Sequence, residues 1–311
     1  MFTKPFKDIF KKDANIAGGK GASLGEMTNA GMPIPPGFVV LANTFDEFLK
    51  ENDLEIEIKK AFEKINYKNI NSVEKASAKI NSLILMSVIP DNVLKDILKE
   101  FKKIKSPLVA VRSSATAEDS SIASWAGELE TYLNVDEKNL IESIKECWAS
   151  LFTPRAIFYA FEKGLYEQKN SVAVVIQKMV QSEISGIAFT VHPVTEDKKY
   201  MLVEAGYGLG EAIVGGEITP DSYVIDKKER LIVDKNISEQ KMFIVRGAKG
   251  IKRSDVPTYK REVQKLSDKD ILKLVDICLK IEKHYKKPQD IEWALEGNKI
   301  YITQSRPITT L

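Results

Sequence analysis

The chain has 311 residues, 43% of them hydrophobic and 29% charged, the balance of an ordinary globular protein. Its 46 lysines and arginines against 44 acidic residues leave a formal net charge of +2, which gives no support to a nucleic-acid coat or a membrane-surface binder. The length suffices for one large domain or for two lobes with separate cores.

The N-terminal run MFTKPFKDIF alternates charge with aromatics and lacks the apolar stretch of a signal peptide. No apolar run reaches the length of a bilayer span, and the expected location is cytoplasmic. A glycine cluster, GGKGASLGEM at residues 18–27, precedes GMPIPPGFVV, a proline-punctuated entry into a strand. Three helical patterns are predicted next. The third begins at Pro90, with the proline in its first turn and Val93, Leu94, Ile97, Leu98 and Phe101 on one face. PLVAVR is a short predicted strand that delivers Arg112 to its end.

From Arg112 the chain reads RSSATAEDSSIASWAGELET, residues 112–131, with neither a helical stripe nor a strand alternation. A polar loop of this length in a compact domain is usually functional or disordered. Leu140, Ile144, Cys147, Trp148 and Leu151 then mark a helix, and Thr153 followed by Pro154 marks the cap and first turn of another. SVAVVIQKMV, residues 171–180, is a nearly continuous β-branched run, as in a strand covered on both faces. Short strands follow in GIAFTV, YMLVEAG, YVIDKKERLIVDK and KMFIVR, with a helix over residues 267–285. DIEWALEGNKIYITQSRP closes the chain as a hairpin. The pattern predicts an α+β protein with an α-rich lobe over 1–180, a β-rich lobe over 181–311 and a hinge near Val180.

Lys20 lies among Gly18, Gly19 and Gly21, where backbone amides can approach an anion closely. This is not a P-loop, because neither the earlier glycine nor the following Ser or Thr is present. A flexible turn with a solvated lysine fits the same residues. An arginine at a strand end can grip phosphate oxygens in a bidentate way, and Ser113, Ser114 and Thr116 offer hydroxyls beside Arg112. An Asp/Ser-rich surface loop is the competing reading.

In the terminal hairpin, Gln304 and Arg306 share a face, among apolar Ile291, Trp293, Ile300 and Ile302. A three-residue turn over Gly297, Asn298 and Lys299 would set Glu292 opposite Gln304, whereas a two-residue turn would oppose Glu292 to Thr303. A carboxylate beside an amide oxygen suits a hard cation such as Mg²⁺. An exposed polar face of an edge hairpin remains the alternative. EAGYGLGEAIVGGEITPDSY, residues 204–223, lacks GxGxxG and also reads as a tight turn or bulge. His192 and His284 have neither triad nor metal spacing and read as structural. Cys147 and Cys278 read as buried small hydrophobes.

The order of these pieces is more specific than any one of them. A glycine-cradled lysine is followed by VRSSATAED…ASWAGELETYLNV, VVIQKMV, SGIAFTVHPVT, GLGEAIVGGEITPDSY and QDIEWA…IYITQSRP. The chain resembles the N-terminal ATP-binding domain of the phosphoenolpyruvate synthase and pyruvate phosphate dikinase family, which includes the rifamycin phosphotransferases. The resemblance covers essentially the whole chain and implies an ATP-grasp fold with the nucleotide held between two lobes. By that resemblance Lys20 and Arg112 hold phosphates, Gly127 and Thr131 line a lid over them, and Gln177, Met179 and Val180 serve the adenine. Glu292 and Gln304 would carry Mg²⁺, and Arg306 would stabilise the transferring phosphoryl groups.

Family members hand a pyrophosphoryl group of ATP to a histidine on a swivelling domain, release AMP, and pass one phosphoryl group onward. Neither histidine here has the small-residue context of that carrier. The resemblance therefore implies a phosphohistidine partner in trans, as in phenylphosphate synthases, with pyruvate, a phenol or an antibiotic as acceptor. Two alternatives stay open: a non-catalytic ATP-binding regulatory subunit, and an excised module of a full-length synthase.

Overall fold

A computed structural model describes residues 1–116, 130–164, 171–248 and 250–309. The chain divides into two compact units, one of Met1–Glu26 with Pro36–Met179 and the other of Met27–Pro35 with Val180–Leu311.

The first unit contains β1 (Thr3–Pro5), α1 (Ala14–Asn29, whose last residues belong to the second unit), β2 (Gly37–Val40), α2 (Ala42–Glu51), α3 (Leu54–Phe62), α4 (Ile70–Met86) and α5 (Asp91–Ile104). It continues with β3 (Val109–Ala115), β4 (Thr131–Val135), α6 (Leu140–Ala149), α7 (Pro154–Glu162) and β5 (Val172–Lys178). Its five strands form an antiparallel sheet in the order β1-β2-β5-β3-β4. Strand β5 is central, and every residue of its β-branched run from Val172 to Ile176 is wholly buried.

One face of that sheet carries Phe38, Val40, Val109, Val111, Val174 and Ile176 into a core shared with the helices. There the Trp148 ring lies 4.9 Å from Phe48 and 5.4 Å from Phe45. The Thr153 hydroxyl accepts the Ala156 amide at 3.2 Å and starts α7, as its sequence predicts. Four helices stand where three were expected, because Asp53 adopts a left-handed conformation (φ 54°) and separates α2 from α3. Arg112 is likewise not at a strand end: β3 runs three residues further, to Ala115.

The second unit contains β6 (Ile184–Phe189), β7 (Tyr200–Tyr207), α8 (Glu211–Val214), β8 (Asp221–Asp226), β9 (Leu231–Asn236), β10 (Met242–Arg246), β11 (Ile251–Asp255), α9 (Asp268–Tyr285), β12 (Gln289–Glu296) and β13 (Lys299–Pro307). Six strands make an antiparallel sheet in the order β13-β12-β6-β7-β8-β9, and β10 with β11 forms a separate hairpin. Helix α9, capped by the Ser267 hydroxyl, buries Ile271, Leu274, Val275, Cys278 and Ile281. The opposite alternation of the sheet leaves Asp290, Glu292 and Glu204 only partly covered. A wholly buried ion pair, Lys265 with Asp221 at 2.9 Å, ties the segment before α9 to β8. The expected α+β class is what both units display. Among the described residues no helix is long and apolar enough to cross a membrane.

Candidate functional site

In the first unit Arg112, Thr131 and Gln177 stand on the sheet face opposite the aromatic core. Helix α1 lies on this face: a Cβ built at Gly21 would sit 3.0 Å from a Val39 methyl group. Strand register then assigns the neighbours. Arg112 is opposite Val175 on one side and Thr131 on the other, and Val175 is opposite Val39. Gln177, opposite Ala110 and Gly37, stands one row away on the same face. Arg112 is 9% exposed and Gln177 3%, whereas Thr131 is exposed and Lys20 half-buried.

The glycine cluster is a break within a helix rather than a loop. Gly18 has φ 68° and ψ 170°, and helical geometry resumes after it, so Lys20 rides on the helical side of a kink. A residue with a side chain disfavours that conformation.

The hydroxyls expected to face a polyanion are directed elsewhere. Ser113 donates to the Glu130 carbonyl at 3.0 Å, Thr116 to the Ser171 carbonyl at 3.0 Å and Ser114 to the Ala17 carbonyl at 3.0 Å. Each closes a backbone gap, which corrects the reading of these three as phosphate ligands. Gly127 falls outside the described residues.

Gln177 is different. Its amide nitrogen is buried with no hydrogen-bond partner among the described residues, a costly state for a polar group unless a ligand satisfies it. Met179 follows, with its own amide donated to the Leu108 carbonyl at 3.1 Å, so any ligand contact from its backbone falls to its carbonyl.

In the second unit Val180 packs with Ala294 and Tyr301. One step along that face, Glu292 pairs with Gln304, and beyond it Asp290 pairs with Arg306. The turn is the two-residue one: Glu296 faces Lys299 across Gly297 and Asn298. By itself it would have set Glu292 against Thr303. A bulge at Thr303 absorbs one residue, because Trp293 pairs with Ile302 while Glu292 pairs with Gln304. The expected pairing is reached by a route the sequence reading did not contain.

Asp290 is the residue that reading missed. Arg306 donates to Asp290 Oδ2 from Nε at 2.8 Å and approaches the same oxygen with Nη2 at 2.8 Å. The signal was available, since Asp290 precedes Glu292 by two residues and shares its face. Glu204 on β7 also faces this side. Burial first, and then the negative charge of Asp290, hold its carboxyl above the usual carboxylate range.

Val194 and Thr195 amides donate to His192 Nδ1 at 3.4 and 3.3 Å, and the His284 ring meets Tyr285 edge-on at 5.1 Å. Among the described residues no three His, Cys, Asp or Glu side chains group as a metal cage. One carboxylate opposite one amide oxygen instead fits Mg²⁺, which keeps waters and takes further oxygens from bound phosphates.

The sequence matches the family described as pyruvate phosphate dikinase, AMP/ATP-binding domain, over residues 14–311. The chain belongs to this family. It is 44% identical to a probable phosphoenolpyruvate synthase of Methanocaldococcus jannaschii, over 98% of this chain and 26% of that protein. A probable phosphoenolpyruvate synthase of Archaeoglobus fulgidus is 46% identical over 98% of this chain and 41% of its own length. The rifampicin phosphotransferase of Bacillus cereus is 38% identical over all of this chain and 36% of its own. The chain thus spans less than half the length of these curated relatives. It is an AMP/ATP-binding domain of a phosphotransferase family.

Proposed function

We propose that the chain is the ATP-binding component of a dikinase-type phosphotransferase with an ATP-grasp fold, which transfers the pyrophosphoryl group of Mg·ATP to a histidine on another domain or subunit. The observation that carries this reading is the row on the second unit's sheet, where Glu292 faces Gln304 beside the Asp290–Arg306 pair. A hard-cation pair next to a guanidinium suits a site that neutralises phosphate charge.

Phosphoryl transfer asks the protein for positioning and charge rather than for a nucleophile of its own. Lys20 and Arg112 draw in the phosphate oxygens, and Thr131 borders them. The unpartnered amide of Gln177 and the backbone of Met179 and Val180 take the adenine. Glu292 and Gln304 would hold Mg²⁺, which would neutralise charge on the phosphates. Arg306, oriented by Asp290, neutralises the group in flight. A neutral imidazole nitrogen of the partner attacks the β-phosphorus. The N–P bond forms, the bond from that phosphorus to the α–β bridging oxygen breaks, and AMP leaves with the oxygen.

The test adds purified chain and ATP labelled with ³²P at the β-phosphate to a lysate of the source organism. The expected result is base-stable, acid-labile label on a second polypeptide, dependent on the added chain, with AMP as the released nucleotide. Tight Mg·ATP binding without any such label would overturn transfer in trans and favour a non-catalytic regulatory role or a module severed from its carrier.

A further inference from the structure

We propose that Ser114 is a positioning residue that fixes Lys20 for its work on the ATP phosphates, an inference that rests on the phosphate role given above to Lys20 and Arg112. In an unbroken helix the Gly21 amide would bond to the Ala17 carbonyl four residues earlier. Gly18 interrupts that helix, with φ 68° and ψ 170°. The Ser114 hydroxyl stands in the gap: it accepts from the Gly21 amide at 3.2 Å and donates to the Ala17 carbonyl at 3.0 Å. One side chain from β3 therefore satisfies both groups that the kink separates, and Lys20 lies between them in sequence.

The fit is close. A Cβ at Gly18 would fall 2.2 Å from both the Ser114 carbonyl oxygen and its hydroxyl, so the kink and the serine share one space. Ser114 is wholly buried, which keeps water from substituting for its hydroxyl. It also stands two residues from Arg112 on the same face of β3. The same strand thus carries one candidate phosphate cation directly and locates the other through a hydroxyl bridge. Losing that bridge leaves Arg112 in its strand and frees Lys20 to wander relative to it.

Calorimetric titration of Ser114→Ala, Lys20→Ala and the double variant with ATP and with adenosine tests this. The expected result for Ser114→Ala is a roughly tenfold weaker affinity for ATP, the scale of a lost buried hydrogen bond, with adenosine affinity unchanged. In the Lys20→Ala background the same change should alter ATP affinity less than about twofold, because a residue acting through Lys20 has nothing left to act on. Equal losses for ATP and adenosine, or an undiminished effect without Lys20, would overturn the proposal. If Lys20→Ala binds ATP as tightly as the parent, the phosphate role of Lys20 fails, and the role of Ser114 falls with it.

Hydrogen exchange on the unaltered protein gives a readout that does not require the variant to fold. The Gly21 amide should exchange slowly before any nucleotide is added and change little with ATP. Fast exchange that slows only on ATP binding would mean the kink is built by the ligand and would overturn a preset Lys20.

Discussion

Glu292 stands on an incompletely covered sheet face, opposite an amide and one row from an arginine, and such a position is selected for charge rather than for packing. Replacing it with glutamine keeps the shape and removes one negative charge from the pair that would hold Mg²⁺. Glu292→Gln should therefore lower Mg²⁺-dependent transfer by about 100-fold, the scale of losing one electrostatic contact to the reacting phosphates. Its unfolding free energy should stay within about 0.5 kcal/mol of the parent, as for an ordinary surface change. Undiminished transfer would remove Glu292 from the metal site. Glu204, three strands from Gln304 on the same face, makes a separate point through pH. Burial and the Asp290 charge raise its carboxyl above the reference of 4.5, so the folded state keeps this proton longer than the unfolded chain does. Its contribution to stability is therefore present below pH 4.5 and lost as pH rises through the folded value. Glu204→Gln should flatten that fall, which denaturant titrations at a series of pH values would detect. An unchanged slope would mean that Glu204 is solvated.

At the level of elements, the hairpin of β12 and β13 depends on one extra residue. Deleting Thr303 would let Gln304 follow Ile302 directly, and an unbroken ladder from the two-residue turn would still oppose Gln304 to Glu292 and Arg306 to Asp290. Inserting one residue between Gln304 and Ser305 would instead move Arg306 off its row and reverse its face. The deletion should retain Mg²⁺-dependent transfer, and the insertion should abolish it while leaving ATP-independent folding intact by circular dichroism. Equal loss in both would show that the twist of the bulge, not the pairing, is what matters. The same hairpin marks how far sequence reading reaches. Alternation of polar and apolar residues located Gln304 and Arg306 on one surface, because period 2 is a local property of a strand, whereas the partner of Glu292 across the turn stayed open between Gln304 and Thr303. The bulge was not legible, because which residue is squeezed out depends on the neighbouring strands. Ser113, Ser114 and Thr116 failed for a related reason: their composition announces hydroxyls but not partners, and those partners, Glu130, Ala17 and Ser171, lie 17, 97 and 55 residues away. The split of α2 from α3 turned on the backbone conformation of Asp53, for which Asn52 and Asp53 were only a faint cue.

At the scale of the whole molecule, the second unit is not one continuous stretch of chain. Residues 27–35 group with residues 180–311, and the Pro33 carbonyl accepts the Ile302 amide at 3.0 Å. Among the described residues strand β13 pairs within its sheet only with β12, so its other side is an edge, and this carbonyl occupies part of it. An exposed edge of alternating Ile300 and Ile302 is a template for pairing with another chain. Residues 180–311 expressed alone should accordingly unfold at lower denaturant than the same residues carrying 27–35 on a glycine–serine linker. The fragment should also associate in a concentration-dependent way that the linked segment suppresses, which sedimentation at several concentrations would reveal. The consequence reaches the chemistry, because Gln304 and Arg306 lie on β13 beyond Ile302. A fragment that is monomeric and equally stable without residues 27–35 would make the Pro33 contact incidental. It would then leave the register of β13, and with it the Glu292–Gln304 pair, to β12 and the Thr303 bulge alone.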